Sequence, residues 1–315
     1  MAPDEEGAAP VPGALSPGEA FKRLGNETRV AVLQALGEAE GALSFSELRD
    51  AVGMRDPGQF NYHLDQLTGH FITRTDEGYE LASPGQRVVR AVVSGAVTAD
   101  PSLEPTILDV PCNYCGAPIE IAYVNARLEV YCTSCQGSFG EEMQTRRDRE
   151  TGGFIGTLSL PPAGTVGRSP RELYSAARVW GALDWVAAAR GICRECSAAA
   201  TFTTTVCEHH EIGPDGVCET CGLRYAVLVS EECTNCSQDW RGVAPVWLFF
   251  QADVWAFLLA NDVDFFDRED NPWATVEITE EIRDSDPLEA AYTFAVGEES
   301  ITAVVGPELD VRAVE

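Results

Sequence analysis

Eleven cysteines and four histidines are the residues in this 315-residue chain whose types and spacing could do chemistry. The first cluster reads Cys112-x2-Cys115-x16-Cys132-x2-Cys135, the spacing of a tetrahedral four-thiolate zinc site. A second cluster holds Cys193-x2-Cys196, Cys207-x2-His210, Cys218-x2-Cys221 and Cys233-x2-Cys236. Its eight ligands make two further sites, so twelve ligands serve three Zn²⁺ ions and no cysteine is left over. His209 competes with His210 for one position. Paired thiols also suit a rubredoxin-like iron centre, but a site of three cysteines and one histidine fits structural zinc better.

Two pairings of the second cluster remain open. Pairing in chain order gives two short ribbons, and pairing first with third and second with fourth gives a cross-brace. Neither Ser197 to Val206 nor Gly222 to Glu232 carries an internal turn signal. A ten-residue strand would separate its ends by about 33 Å, which counts against closing each site with its own hairpin.

The elements that must position these ligands are read from periodicity and capping. In the first cluster, Ile119 to Val124 and Leu128 to Tyr131 alternate as strands about Asn125, so a hairpin can bring the two thiol pairs together. Asp100 to Asp109 reads as a linker and Gly152 to Pro170 as a boundary or loose loop. Ser169 caps a helix over Pro170 to Arg190, with Leu173, Ala177, Trp180 and Ala187 on one face. Pro245 to Asn261 reads as one buried helix, and the last forty residues alternate as strands.

Residues 16–97 read as helices, a short hairpin and one more helix. Asp56 at N-cap, Pro57 at N1 and Gln59 at N3 start a helix. Ile72 to Arg74 and Tyr79 to Leu81 pair around Asp76, Glu77 and Gly78. Two helices joined by a tight turn and followed by a hairpin make a winged helix-turn-helix. On a helical wheel Phe60, Leu64 and Leu67 face the core, and Gln59, Asn61, Tyr62, Asp65 and Gln66 face outward. His63 falls beside the core face and reads as a packed histidine. Gln and Asn suit adenine edges in the major groove, and Arg49, Arg55 and Arg74 are placed to hold phosphates.

The stretch from Leu24 through Leu81, with LGNETRVAVLQAL, FSELRDAVG, PGQFNYHLDQL and ITRTDEGYEL, resembles the ArsR-like winged helix-turn-helix regulators over about a quarter of the chain. The resemblance implies a transcription regulator that binds double-stranded DNA, usually as a homodimer, with Asp56 to Thr68 as recognition helix. One departure is plain: the metal-sensing members carry cysteines in this domain, and here the first cysteine is Cys112.

Charge bounds the rest. The formal net charge is -28 and Lys22 is the sole lysine among 22 basic residues, a composition that resembles proteins of salt-loving archaea. With 45% hydrophobic residues the chain is nonetheless able to bury a core. Residues 16–95 hold 8 basic and 11 acidic side chains, against 4 and 17 in residues 241–315, so the presumed reading domain is the less acidic part. Residues 1–15 read as a disordered acidic tail. Nothing in the sequence suggests a secretion signal or a membrane span, and the expected location is cytoplasmic. No phosphate loop, dinucleotide fingerprint, HExxH or Ser-His-Asp pattern is present, so the expectation is not an enzyme.

The reading is therefore an α+β protein: a winged helix-turn-helix at 16–97, a zinc ribbon at 110–140, a helix with a double zinc module at 169–240, and a helix with antiparallel strands at 241–315. Its expected function is transcription regulation. The alternative is a zinc-ribbon module that docks on transcription-machinery protein or RNA.

Overall fold

The computed structural model describes residues 15–139, 152–266 and 271–314. The protein mixes helix and strand, with helices predominating toward the N-terminus and sheets toward the C-terminus. It divides into unit 1, Met1–Thr98, and unit 2, Ala99–Glu315.

Unit 1 runs α1 (Pro17–Leu24), α2 (Glu27–Glu38), α3 (Phe45–Ala51), α4 (Pro57–Leu67), β1 (Ile72–Arg74), β2 (Tyr79–Leu81) and α5 (Ser83–Val93). Each of the first four helices starts at a polar residue whose side chain accepts a backbone N–H: Ser16, Asn26, Ser44 and Asp56. Ser16 and Ser44 form reciprocal capping boxes with Glu19 and Glu47. The core is drawn from Val32, Leu33 and Leu36 of α2, Leu48 of α3, Phe60, Leu64 and Leu67 of α4, and Ile72 and Tyr79 of the hairpin. Phe60 meets Phe45 edge-on at 5.1 Å between ring centres.

Unit 2 begins with a four-stranded antiparallel meander: β3 (Leu103–Pro111), β4 (Pro118–Val124), β5 (Arg127–Cys132) and β6 (Phe154–Ser159). Two stretches that read as linker and loop in the sequence are thus its edge strands. Both were obscured because proline and glycine sit at sites an edge strand tolerates. Asn125 and Ala126, at φ 51° and 58°, form the tight turn between β4 and β5.

Helix α6 (Pro170–Ala188) follows, capped by Ser169 with Glu172. Its inward stripe is Tyr174, Arg178, Gly181, Trp185 and Ala188, joined by Leu173, Ala177 and Ala182. Leu173 and Ala177 face inward as the sequence suggested, but Trp180 is 46% exposed and Ala187 only half-buried. The stripe advances by alternating steps of four and three, and Trp180 falls outside it.

A three-stranded antiparallel sheet, β7 (Ala200–Val206), β8 (Val227–Cys233) and β9 (Asp239–Val243), comes next. The expected single helix after it is two helices, α7 (Ala244–Leu248) and α8 (Ala252–Ala260). The break lets four consecutive side chains, Trp247, Leu248, Phe249 and Phe250, all be buried, which one straight amphipathic helix with a single stripe does not allow. The chain closes with the antiparallel meander β10 (Glu277–Ser285), β11 (Leu288–Val296), β12 (Glu299–Val305) and β13 (Val311–Val314). Alternate residues of β8, β11 and β12 join α6, α7 and α8 in the largest core of unit 2. No helix among the described residues is long and apolar enough to cross a membrane.

Candidate metal centres

The twelve expected ligands lie in three groups of four, each with its ligand atoms within 4.8 Å of one another: Cys112, Cys115, Cys132 and Cys135; Cys193, Cys196, Cys233 and Cys236; and Cys207, His210, Cys218 and Cys221. All eleven cysteines are free thiols. The Sγ···Sγ separations Cys112–Cys135, Cys115–Cys132, Cys193–Cys236 and Cys196–Cys233, 3.4 to 3.8 Å, are too long for a disulfide of about 2.05 Å. They match the edge of about 3.8 Å that a tetrahedron with metal–sulfur bonds of about 2.3 Å requires. The residues therefore fit a four-coordinate ion.

Local backbone chemistry explains why C-x2-C presents two sulfurs at once. At Cys112, Cys193 and Cys218 the cysteine carbonyl accepts the N–H four residues on, from Gly116, Ser197 and Gly222. The cysteine N–H donates to the carbonyl five residues on, at Ala117, Ala198 and Leu223. Closing that loop puts the residue after the second cysteine at φ 73°, 62° and 70°. Glycine meets this need in two of the three, and Ser197 adopts it at some strain. Backbone N–H groups also point at the sulfurs, at 3.3 Å from Ser134 and Cys135 to Cys132 Sγ and from Asn235 and Cys236 to Cys233 Sγ.

These donors favour thiolate. The N–H groups of Cys236 and Asn235 hold the Cys233 thiol down to about 6. Cys135 is held down to about 5, first by its hydrogen bond with Cys112, whose own thiol is pushed far up by that bond and by burial. The two four-cysteine groups thus each contain a sulfur ready to lose its proton to a metal.

The second cluster pairs in neither of the two ways the sequence left open. The outer pairs Cys193–Cys196 and Cys233–Cys236 meet, and the inner pairs Cys207–His210 and Cys218–Cys221 meet, giving a nested arrangement. The cause is the ladder between β7 and β8. Ala200 sits opposite Cys233 and Val206 opposite Val227, so the two groups lie at opposite ends of one hairpin. Seven residues at about 3.3 Å each put some 20 Å between those ends, which is why neither site closes with its chain-order neighbour.

His210, not His209, completes the inner group. His210 Nδ1 lies 3.5 Å from Cys221 Sγ, and its Nε2 lies 3.3 Å from the Arg224 carbonyl oxygen. Arg224 and Tyr114 escaped notice in the sequence, because Tyr114 fills an intervening position of one knuckle and Arg224 follows another, and neither place carries a ligand signal. They link two metal groups: the Arg224 guanidinium lies 4.1 Å from the Tyr114 ring centre, its Nε donates to the Gly137 carbonyl, and Tyr114 and Ser138 share a hydroxyl hydrogen bond of 2.7 Å.

In unit 1, Gln59, Asn61, Tyr62 and Asp65 are exposed on α4 and Gln66 is half-buried, while Phe60, His63, Leu64 and Leu67 are buried. Arg55 and Arg74 are exposed, and Arg49 is half-buried and paired with Asp50 at 3.2 Å. Asn61 donates its amide to Asp65 at 3.0 Å.

A family model described as Domain of unknown function (DUF7347) matches residues 17–92, and one described as Domain of unknown function (DUF7351) matches residues 109–311. No curated protein and no solved structure matches the chain.

Proposed function

The chain belongs to the family described as domain of unknown function DUF7351, and from that premise we propose that it is a DNA-binding transcription regulator with three structural zinc sites in unit 2. The observation that carries the DNA reading is the outward face of α4, which presents Gln59, Asn61 and Tyr62 beside the exposed Arg55. A helix of this kind enters a major groove about 12 Å wide, where Gln and Asn make paired hydrogen bonds to adenine. In this reading unit 1 is an ArsR-like winged helix-turn-helix: α3 and α4 are the two helices joined by a turn, and β1 with β2 is the wing that carries Arg74. Gln59, Asn61, Tyr62 and Gln66 read bases, Arg49, Arg55 and Arg74 hold phosphates, and the protein acts as a homodimer.

Zinc is the ion proposed because three groups of borderline-soft ligands, one of mixed thiolate and imidazole, suit it. Cys112 to Cys135 is a zinc ribbon in this reading. Four protein ligands per site fill a tetrahedron, so the metal's work is to hold the loops together.

Asp65 favours a second reading. Its carboxylate sits on the same face as the proposed base contacts and engages Asn61, as suits a surface that docks on transcription-machinery protein rather than on a phosphate backbone. A map of DNA contacts across the genome, made in cells at native salt, separates the two. Discrete sites that disappear on replacing Gln59 and Asn61 with alanine support the regulator. Absence of discrete sites, or sites unchanged by those substitutions, overturns it.

A further inference from the structure

Unit 2 contains a cleft of about 860 Å³ whose walls are built from the metal-bearing loops. Small-molecule sites occupy roughly 300 to 1,000 Å³. Tyr114 lies between Cys112 and Cys115, and Arg224 and Tyr225 come three and four residues after Cys221. The half-buried Trp273 also lines the cleft, its ring centre 3.9 Å from that of the fully buried Phe249 behind it.

Arg224 is held on three sides. Tyr114 lies under the guanidinium, the Gly137 carbonyl takes its Nε hydrogen at 2.8 Å, and Gly216 approaches so closely that an added Cβ would stand 2.7 Å from Nη2. Its two terminal nitrogens have no acceptor among the described residues. Tyr225 is buried, lines the same cleft, and its hydroxyl likewise has no protein partner among the described residues. A pinned cation with a free pair of donors, in one cleft with a free hydroxyl, is suited to a planar, two-oxygen anion, and pinning lowers the entropic cost of binding it.

Glu277 and Glu280 also line the cleft but do not make it a cation site. The Glu280 carboxylate already accepts from the backbone N–H groups of Ala226 and Val227 and from the Tyr292 hydroxyl. Glu277 is exposed on β10, where solvent screens it.

We infer that this cleft binds a small aromatic carboxylate, with its carboxylate on Arg224 and Tyr225 and its ring against Trp273. The inference concerns unit 2 alone and does not depend on unit 1 binding DNA. The zinc-loaded full chain is titrated calorimetrically with 1-naphthoate and with the neutral isostere 1-naphthamide. The expected result is one saturable naphthoate site per chain and naphthamide binding at least tenfold weaker. Arg224→Gln weakens naphthoate about tenfold or more, the usual effect of losing a charge-assisted hydrogen bond. Tyr225→Phe, which keeps the ring and the packing, weakens it several-fold with three zinc ions retained, and carries the test where Arg224→Gln disturbs folding. Lack of saturation at about 10 mM, beyond the millimolar range of weak specific binding, overturns the inference. Equal affinity for the amide overturns it too, as does naphthoate affinity unchanged by Tyr225→Phe.

Discussion

His210 faces the Cys221 sulfur through Nδ1 at 3.5 Å while its Nε2 lies 3.3 Å from the Arg224 carbonyl oxygen. With Nδ1 given to a metal, the ring hydrogen sits on Nε2 and donates to that carbonyl, which fixes both tautomer and orientation. His209 contributes only its backbone carbonyl, toward the Cys218 thiol at 3.6 Å. Native mass spectrometry should therefore count three zinc ions in wild type and in His209→Ala, and two in His210→Ala. His210→Cys should restore the third. Loss of zinc in His209→Ala instead would reverse the assignment. A colourless protein with zinc accords with this chemistry, and a red iron chromophore contradicts it.

The nested pairing is checked by paired substitutions. Cys193→Ser combined with Cys236→Ser should cost one zinc ion, because both serve one group, whereas Cys193→Ser with Cys218→Ser should cost two. A cross-brace would exchange the two outcomes for these pairs. In either variant the loss of a site should lower the melting temperature, since ligands of an absent metal no longer hold their loops.

Burial in unit 1 makes stability depend on pH through His63. Its pKa is lowered from 6.5, first by burial and then by the nearby Arg29 cation. The neutral ring is thus the folded form. Below pH 6.5 the unfolded chain takes up a proton that the folded chain refuses, so stability is full above 6.5 and is lost as pH falls through and below it. Melting curves of the full chain from pH 8 to 5 should show this decline, and His63→Leu should flatten it. The capping carboxylates Glu19 and Glu47, with pKa lowered from 4.5 by their serine hydrogen bonds, act in a more acidic window and do not mask the effect.

Asn61 and Asp65 compete with DNA for each other. In the proposed complex the Asn61 amide leaves Asp65, so Asp65→Ala should tighten binding by freeing it and removing a like charge from the phosphate side. Asn61→Ala should cost about 1–3 kcal/mol and relax preference at one base pair. Arg55→Ala and Arg74→Ala should weaken all sequences alike. Competition binding against randomised duplexes measures all four, and a uniform loss in Asn61→Ala would argue that it reads no base.

Salt should act on the protein in the sense opposite to most DNA-binding proteins. The net charge of -28 repels phosphates in dilute buffer, but screening shortens to about 3 Å at 1 M salt, leaving only short contacts. Binding should persist in multimolar KCl, and folding or binding should fail at low salt. A titration with tightest binding at low salt would contradict this.

Much of the local structure was legible because its causes are short-range. Asp56 and Ser169 mark helix starts by capping N–H groups three residues on, and Asn125 marks a turn by accepting a positive φ. The ligand identities were legible for the same reason, since the two-residue spacing within each pair is local, and the knuckles at Cys112, Cys193 and Cys218 close through hydrogen bonds four and five residues apart. β3 and β6 were missed because an edge strand with proline or glycine shows weak alternation, and its pairing depends on the strand beside it. Trp180 was misplaced because its hydrophobicity names no direction, and only the sheet that α6 meets decides which stripe turns inward.

By itself, then, the sequence determined how many candidate metal groups there are, which residue types fill them, where several helices start, and the acidity of the chain. The tertiary structure alone decided which knuckles come together, that His210 rather than His209 turns inward, and that Tyr114, Arg224 and Trp273 line one cleft. The reason is distance along the chain. Cys193 meets Cys236 across 43 residues and Cys196 meets Cys233 across 37, through the register of β7 on β8, and no local pattern in either segment encodes that register.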